Sequence, residues 1–175
     1  MSDGASEPSA PPAPGDAAPA LRLTLAGGET RGLEELLQGS RSRSLLLAFF
    51  KTTCPTCTLV WPYLARLHEA LGDAIRVVGV SQDPPDESRR FHEEARASFE
   101  LAFDPGPGFP ASNEVGLEAV PYHLWIGADG RVRATWAGWS RQRMNDLASE
   151  VAVGAGRTPL PLVGPDDPVP SWKAG

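Results

Sequence analysis

Cys54 and Cys57 are the only two cysteines in 175 residues, and they are separated by Pro55-Thr56. Two thiols at this spacing can bridge once the intervening turn is helical. The more exposed of them can attack a disulfide, and the other can then displace the product. A closed structural zinc site would need about four ligands, and a disulfide framework needs more than one pair of cysteines. The spacing therefore indicates redox chemistry.

The segment before the pair, Ser44 to Phe50, is a continuous apolar run of strand length, as expected of a central strand covered on both faces. The segment after it, Pro55 to Leu71, places Val60, Leu64, Leu67 and Leu71 on one helical stripe and stops at Gly72-Asp73. Pro62 lies inside that helix and is expected to kink it, since it lacks the N–H and crowds the preceding turn. Cys54 thus falls at a helix N-terminus, where free backbone N–H groups and roughly half a positive charge favour a thiolate. It is the expected nucleophile. Cys57, one turn in, is the expected resolving thiol.

Around this unit, Leu21, Leu23 and Leu25 alternate as a half-buried strand, and Gly32 to Gln38 reads as a short helix ending at Gly39. Ile75–Val80 and Leu101–Phe103 are further strands, with a charged helix over Pro84–Ser98 between them and Phe91 and Ala95 turned inward. A short helix is expected over Ala111–Leu117. Tyr122–Ile126 and Val132–Trp136 flank the hairpin signal Ala128-Asp129-Gly130, and Ser140 can cap a last helix bearing Met144, Leu147 and Val151. Helices alternating with buried strands give an α/β fold: a central mixed sheet with helices on both faces.

Residues 1–19 hold Pro8, Pro11, Pro12, Pro14 and Pro19 among small residues and are expected to be disordered. Residues 20–153 form the domain. Residues 154–175 are a Pro-rich tail without periodicity, in which Trp172 is the one residue that could dock on the domain or a partner. Met1–Ala20 has neither a basic nor an apolar signal region, and no stretch approaches the roughly 20 apolar residues of a membrane span, so a cytoplasmic chain without membrane contact is expected. A net charge of −6 with no Lys/Arg cluster argues against nucleic acid as a partner. Protein or small-molecule disulfides and thiols are the expected substrates, of a monomer.

Residues 45–62, with Cys54-Pro55-Thr56-Cys57 and Pro62, resemble the active-site segment of the thioredoxin superfamily. Ala119-Val120-Pro121, ahead of an apolar strand and hairpin, resembles the family's Val-Pro segment. The strand–helix insertion over Ile75–Leu117 is most similar to the TlpA/ResA-like, peroxiredoxin-related branch. The resemblance implies a thioredoxin-like three-layer fold and no cofactor beyond a Cys54–Cys57 redox disulfide. It further implies that Pro121 follows a cis peptide bond and that the Val120 backbone pairs with a bound substrate strand.

The sequence departs from thioredoxin at Thr53, where that protein has Trp, and at Pro55-Thr56, where it has Gly-Pro. It departs also at Ala48, where thioredoxin has the buried Asp that accepts a proton from the inner thiol. Lys51 is the nearest fixed cation to Cys54 and could favour its thiolate. Thr53, Pro55, Thr56 and Lys51 are therefore supporting site residues beside Val120 and Pro121. A peroxiredoxin would carry Thr and Pro where this chain has Lys51 and Leu47, which weakens an antioxidant thiol-peroxidase reading. A metallochaperone would pair the cysteines with His123, but its cysteines are spaced by three residues, so no metal site is assigned. His68 and His92 are expected to be solvated, and Trp61 to shield the disulfide.

Overall fold

The computed structural model describes residues 10–38, 43–104 and 106–175. The Gly39 helix stop and residues 1–9 of the leader lie outside them. The elements in chain order are β1 (Arg22–Leu25), β2 (Thr30–Gly32), α1 (Leu33–Gln38), β3 (Ser44–Phe50), α2 (Pro55–Leu71), β4 (Ile75–Ser81) and α3 (Pro85–Glu94). They continue with β5 (Glu100–Phe103), α4 (Pro110–Val115), β6 (Tyr122–Ile126), β7 (Val132–Ala137), β8 (Trp139–Ser140), α5 (Arg141–Gly154) and β9 (Trp172–Lys173).

Seven strands form one sheet in the order β2-β1-β5-β4-β3-β6-β7, and β8 and β9 form a separate ribbon. The strand before the cysteines is central: β3 pairs in parallel with β4 and antiparallel with β6. Its alternation divides two cores, because successive side chains point to opposite faces. Leu46, Ala48 and Phe50 face α2 and α5, whereas Leu45, Leu47 and Phe49 face the side covered by α1 and α4. The thioredoxin-like α/β arrangement, with a mixed sheet between helical layers, follows from that division.

Helix α2 runs unbroken through Pro62, whose ring is exposed. Its stripe of Val60, Leu64, Leu67 and Leu71 is buried as the spacing requires. Trp61 belongs to the same buried core cluster as Cys57. It packs against Phe50 at 4.1 Å and Phe99 at 5.4 Å between ring centroids, and it fits because Gly79 on β4 has no side chain. A Cβ at Gly79 would stand 2.7 Å from the Trp61 ring.

The Trp61 indole N–H donates to His92 Nδ1 at 3.1 Å, and His92 Nε2 lies 2.9 Å from the Phe99 carbonyl, so His92 is buried and not solvated. Helix α3 stops at Glu94, short of the expected Ser98, where Arg96 turns to a left-handed φ of 52°. Ala95 then belongs to a cap and only partly faces the core. At α5 the Ser140 hydroxyl accepts the Arg143 N–H at 3.2 Å, which closes the N-terminal cap.

Residues 10–19 differ from the expected disorder. Gly15 N–H donates to the Val132 carbonyl at 2.8 Å, Val132 N–H to Asp16 at 2.9 Å, and Ala18 N–H to Gly130 at 2.9 Å, so the segment lies along the outer edge of β7. Backbone pairing of this kind leaves no hydrophobic period in the sequence, which is why composition alone suggested disorder.

Candidate active site

The site is assembled where the C-terminal end of β3 meets the first turn of α2 and the loop before β6. Cys54 is the N-cap of α2, with Pro55 in the first helical turn, where its missing N–H costs no hydrogen bond. The Cys54 Sγ accepts the Cys57 backbone N–H at 3.2 Å, so the sulfur takes the place that a Ser or Asp oxygen usually holds at a cap. The same Sγ lies 3.4 Å from the Val120 carbonyl oxygen, and the Val120–Pro121 peptide bond is cis. The two sequence-distant motifs therefore meet at one sulfur.

Both cysteines are free thiols in this structure, Cys54 half-buried and Cys57 buried. Burial pushes the Cys57 thiol well above its ordinary range, helped by the hydrogen bond with Cys54 and the charges of Cys54 and Asp83. A backbone contact from Lys51 acts in the opposite direction. The asymmetry suits an attacking outer sulfur and a guarded inner one.

The remaining expected residues are distributed unevenly. Thr53 and Pro55 are exposed on the turn, and Thr56 is buried, with its hydroxyl donating to the Ala174 carbonyl at 2.7 Å. The Lys51 ammonium extends over the Phe109 ring, 5.9 Å from its centroid, while the Lys51 carbonyl accepts the Cys54 N–H at 3.2 Å. Val120 is partly buried and Pro121 buried. A cleft of about 260 Å³ opens beside them, walled by Lys51, Gln82, Phe109 and Val120.

Asp83 near the site had not been singled out, and His123 had been weighed only as a metal ligand. Asp83, just past β4, accepts the Thr52 N–H at 2.5 Å and so ties down the turn before Cys54. Its signal was the polar Ser-Gln-Asp-Pro-Pro stretch closing a buried strand, which reads as an ordinary turn. His123 pairs across the sheet with Ala48, the position of the missing acid, and is fully buried on the α2 side of the sheet. Its ring stacks on Trp136 at 4.5 Å and its Nδ1 lies 3.3 Å from the Trp136 carbonyl. Its Nε2 has no hydrogen-bond partner among the described residues. Burial lowers its pKa to about 4, so it is neutral near pH 7. Among the described residues no three His, Cys, Asp or Glu side chains cluster as metal ligands.

A central mixed sheet with a two-cysteine turn at the start of α2, abutting a cis-proline loop, defines a redoxin of the thioredoxin superfamily. The AhpC/TSA family model matches residues 14–135, and the chain belongs to that family. This agrees with the TlpA/ResA-like, peroxiredoxin-related resemblance.

Among curated proteins the chain is similar to the methylamine utilization protein MauD of Paracoccus denitrificans, with 28% identity over 151 residues covering 80% of this chain and 66% of that one. It is also similar to MauD of Methylorubrum extorquens, with 29% identity over 108 residues covering 60% of this chain and 49% of the relative. The chain thus spans less than two thirds of the length of both relatives, 66% and 49%. Among solved structures, a candidate thiol:disulfide interchange protein DsbE from Chlorobium tepidum superposes with a TM-score of 0.69 at 22% identity, covering 81% of this chain and 97% of that one. A secreted disulfide oxidoreductase of Mycobacterium tuberculosis superposes with a TM-score of 0.60 at 18% identity, covering 77% and 96%. At these identities the likeness establishes the fold. Among the described residues no helix is long and apolar enough to cross a membrane.

Proposed function

We propose that the chain is a thiol–disulfide oxidoreductase acting on protein disulfides. The observation that carries this reading is the Cys54 sulfur, held between the Cys57 N–H and the Val120 carbonyl at the start of α2 with Cys57 buried one turn behind it. The Cys54 thiolate attacks one sulfur of a substrate disulfide. The S–S bond breaks, one substrate thiolate leaves and takes a proton, and a mixed disulfide remains on Cys54. Cys57 then loses its proton and attacks the Cys54 sulfur. This releases the second substrate thiolate and leaves a Cys54–Cys57 disulfide that an external dithiol reduces.

The raised Cys57 pKa keeps the inner thiol protonated, so the outer sulfur makes the first attack. The Val120 backbone pairs with the substrate strand, Thr53 and Pro55 present the exposed rim, and the dithiol serves as the only redox group. The descriptions of the two structural neighbours as disulfide-exchange proteins support the same class of chemistry.

Insulin reduction driven by dithiothreitol tests the reading. Cys54→Ser should abolish turnover, and Cys57→Ser should accumulate the mixed disulfide. Wild-type turnover in Cys54→Ser sinks the proposal. Membership of the AhpC/TSA family supports a second reading, in which Cys54 reduces a hydroperoxide. Rapid oxidation of Cys54 by micromolar peroxide, far faster than an ordinary thiol reacts, would favour it.

A further inference from the structure

After α5 the chain returns to the cysteines. Arg141 fixes the returning segment by donating to the carbonyls of Gly164 at 2.5 Å, Asp167 at 3.1 Å and Val169 at 2.7 Å. Arg66 pairs with Asp167 at 2.8 Å, and the Trp139 indole N–H donates to the Pro170 carbonyl at 2.6 Å. These contacts set where residue 171 begins. From there β9 runs antiparallel to β8, with Trp172 opposite Ser140 and Lys173 opposite Trp139, and the Arg141 N–H donates to the Ser171 carbonyl at 3.0 Å.

The segment ends on both halves of the site. The Thr56 hydroxyl, inside the Cys54–Cys57 turn, holds the Ala174 carbonyl at 2.7 Å. A Cβ on Gly175 would stand 2.5 Å from the Val120 oxygen, the atom that the Cys54 sulfur also contacts. The strand also crosses Gly138 so closely that a Cβ there would be 2.4 Å from the Lys173 carbonyl. Side chains do not anchor it: residues 171–175 are all exposed, and Trp172 is 64% exposed. The named contacts are made through main-chain atoms of the segment. A surface that holds an extended strand by its backbone accepts other extended strands, with little regard to sequence.

We propose that β8, Thr56 and Val120 bound a peptide-binding strip whose resident occupant is residues 171–175, and that its partner is an extended polypeptide segment that displaces them. That the segment comes from a disulfide-bearing protein rests on the exchange activity proposed above. The occupant competes with bulky partners, while small reagents reach the half-buried Cys54. The hinge is between Pro170 and Ser171, because the Arg141, Arg66 and Trp139 contacts with residues up to 170 hold the rest of the segment in place.

The test ends the chain at Pro170 in a Cys57→Ser background, so that only Cys54 reacts. Modification of Cys54 by a polyethylene-glycol maleimide should accelerate about tenfold, the order expected when a few hydrogen bonds hold a strip occupied. The iodoacetamide rate should be unchanged. Equal maleimide rates overturn the proposal, as does a matching rise with iodoacetamide, which would mean a loosened cysteine turn and not a cleared strip. Lys173→Pro keeps the chain length and takes a donor out of the β8–β9 ladder, so it should shift the maleimide rate the same way. No shift there also counts against the strip.

In the two-cysteine protein the insulin KM should fall by a similar factor on ending the chain at Pro170. Absence of insulin turnover with differing maleimide rates removes the exchange activity and leaves the strip. Equal insulin turnover with equal maleimide rates does the reverse.

Discussion

The two faces of the sheet are built differently. The α1/α4 side is largely aliphatic, with Leu23, Leu36, Leu45, Leu47, Val78 and Val80 at its centre. The α2/α5 side is rich in aromatic rings, among them Phe50, Trp61, Phe99, Trp125 and Trp139. It also buries His92 and His123 and carries both cysteines. Aliphatic packing is insensitive to pH and makes no directional demand. The aromatic side relies on hydrogen bonds such as Trp61–His92 and on neutral imidazoles, so its stability depends on protonation and its geometry is tied to the active-site helix. One face provides bulk stability, and the other couples stability to the site.

The comparison is tested most severely by truncating a large side chain on each face. Trp61→Ala should cost about 3–5 kcal/mol and Leu47→Ala about 2–5 kcal/mol in denaturant unfolding. Only the Trp61 change should also alter Cys54 alkylation, since Trp61 lies on α2 four residues after Cys57. Equal changes in alkylation would erase the distinction between the faces.

The pH dependence sharpens it next. His123 takes up a proton near 6.5 when unfolded but only near about 4 when folded, so its neutral burial stabilises fully above pH 6.5. Between about pH 6.5 and 4 the unfolded state binds the proton first, and stability should fall by about 3 kcal/mol in total. His92 is shifted the same way by burial and adds to the slope. His123→Phe should flatten most of the fall when unfolding free energy is measured against pH. An unchanged slope would show that the aromatic face is not the pH-sensitive one.

Ser140→Ala removes the α5 cap and should cost about 1 kcal/mol, with little change at Cys54. The smallest expected effect is that of Asp83→Asn. It should lower the pH midpoint for Cys57 alkylation by less than burial raises it, because charge is the minor cause of the shift.

Much of this architecture was legible in the sequence. The β3 and α2 boundaries follow from an unbroken apolar run and a clean helical stripe, both strong local signals. The end of α3 was not, because Arg96 adopts a left-handed turn that no Gly or Pro announces. His92 was misplaced because it is polar, and only the partner across the fold, the Trp61 indole, decides whether it is buried. The leader and the tail were both judged by their prolines. Residues 10–19 dock through backbone groups, which every residue carries and no composition reveals, and the tail adds the buried side chains of Leu162 and Val163.

By itself the sequence determined the thiol pair, its position at a helix start and the alternating pattern that sandwiches a sheet between helices. These are local properties of spacing and period. The tertiary structure decided that His92 is buried against Trp61, that His123 stands opposite Ala48, and that residues 171–175 run back across the site. Those outcomes depend on contacts between segments far apart in the chain, where burial and hydrogen bonding are set only once the sheet has brought the segments together.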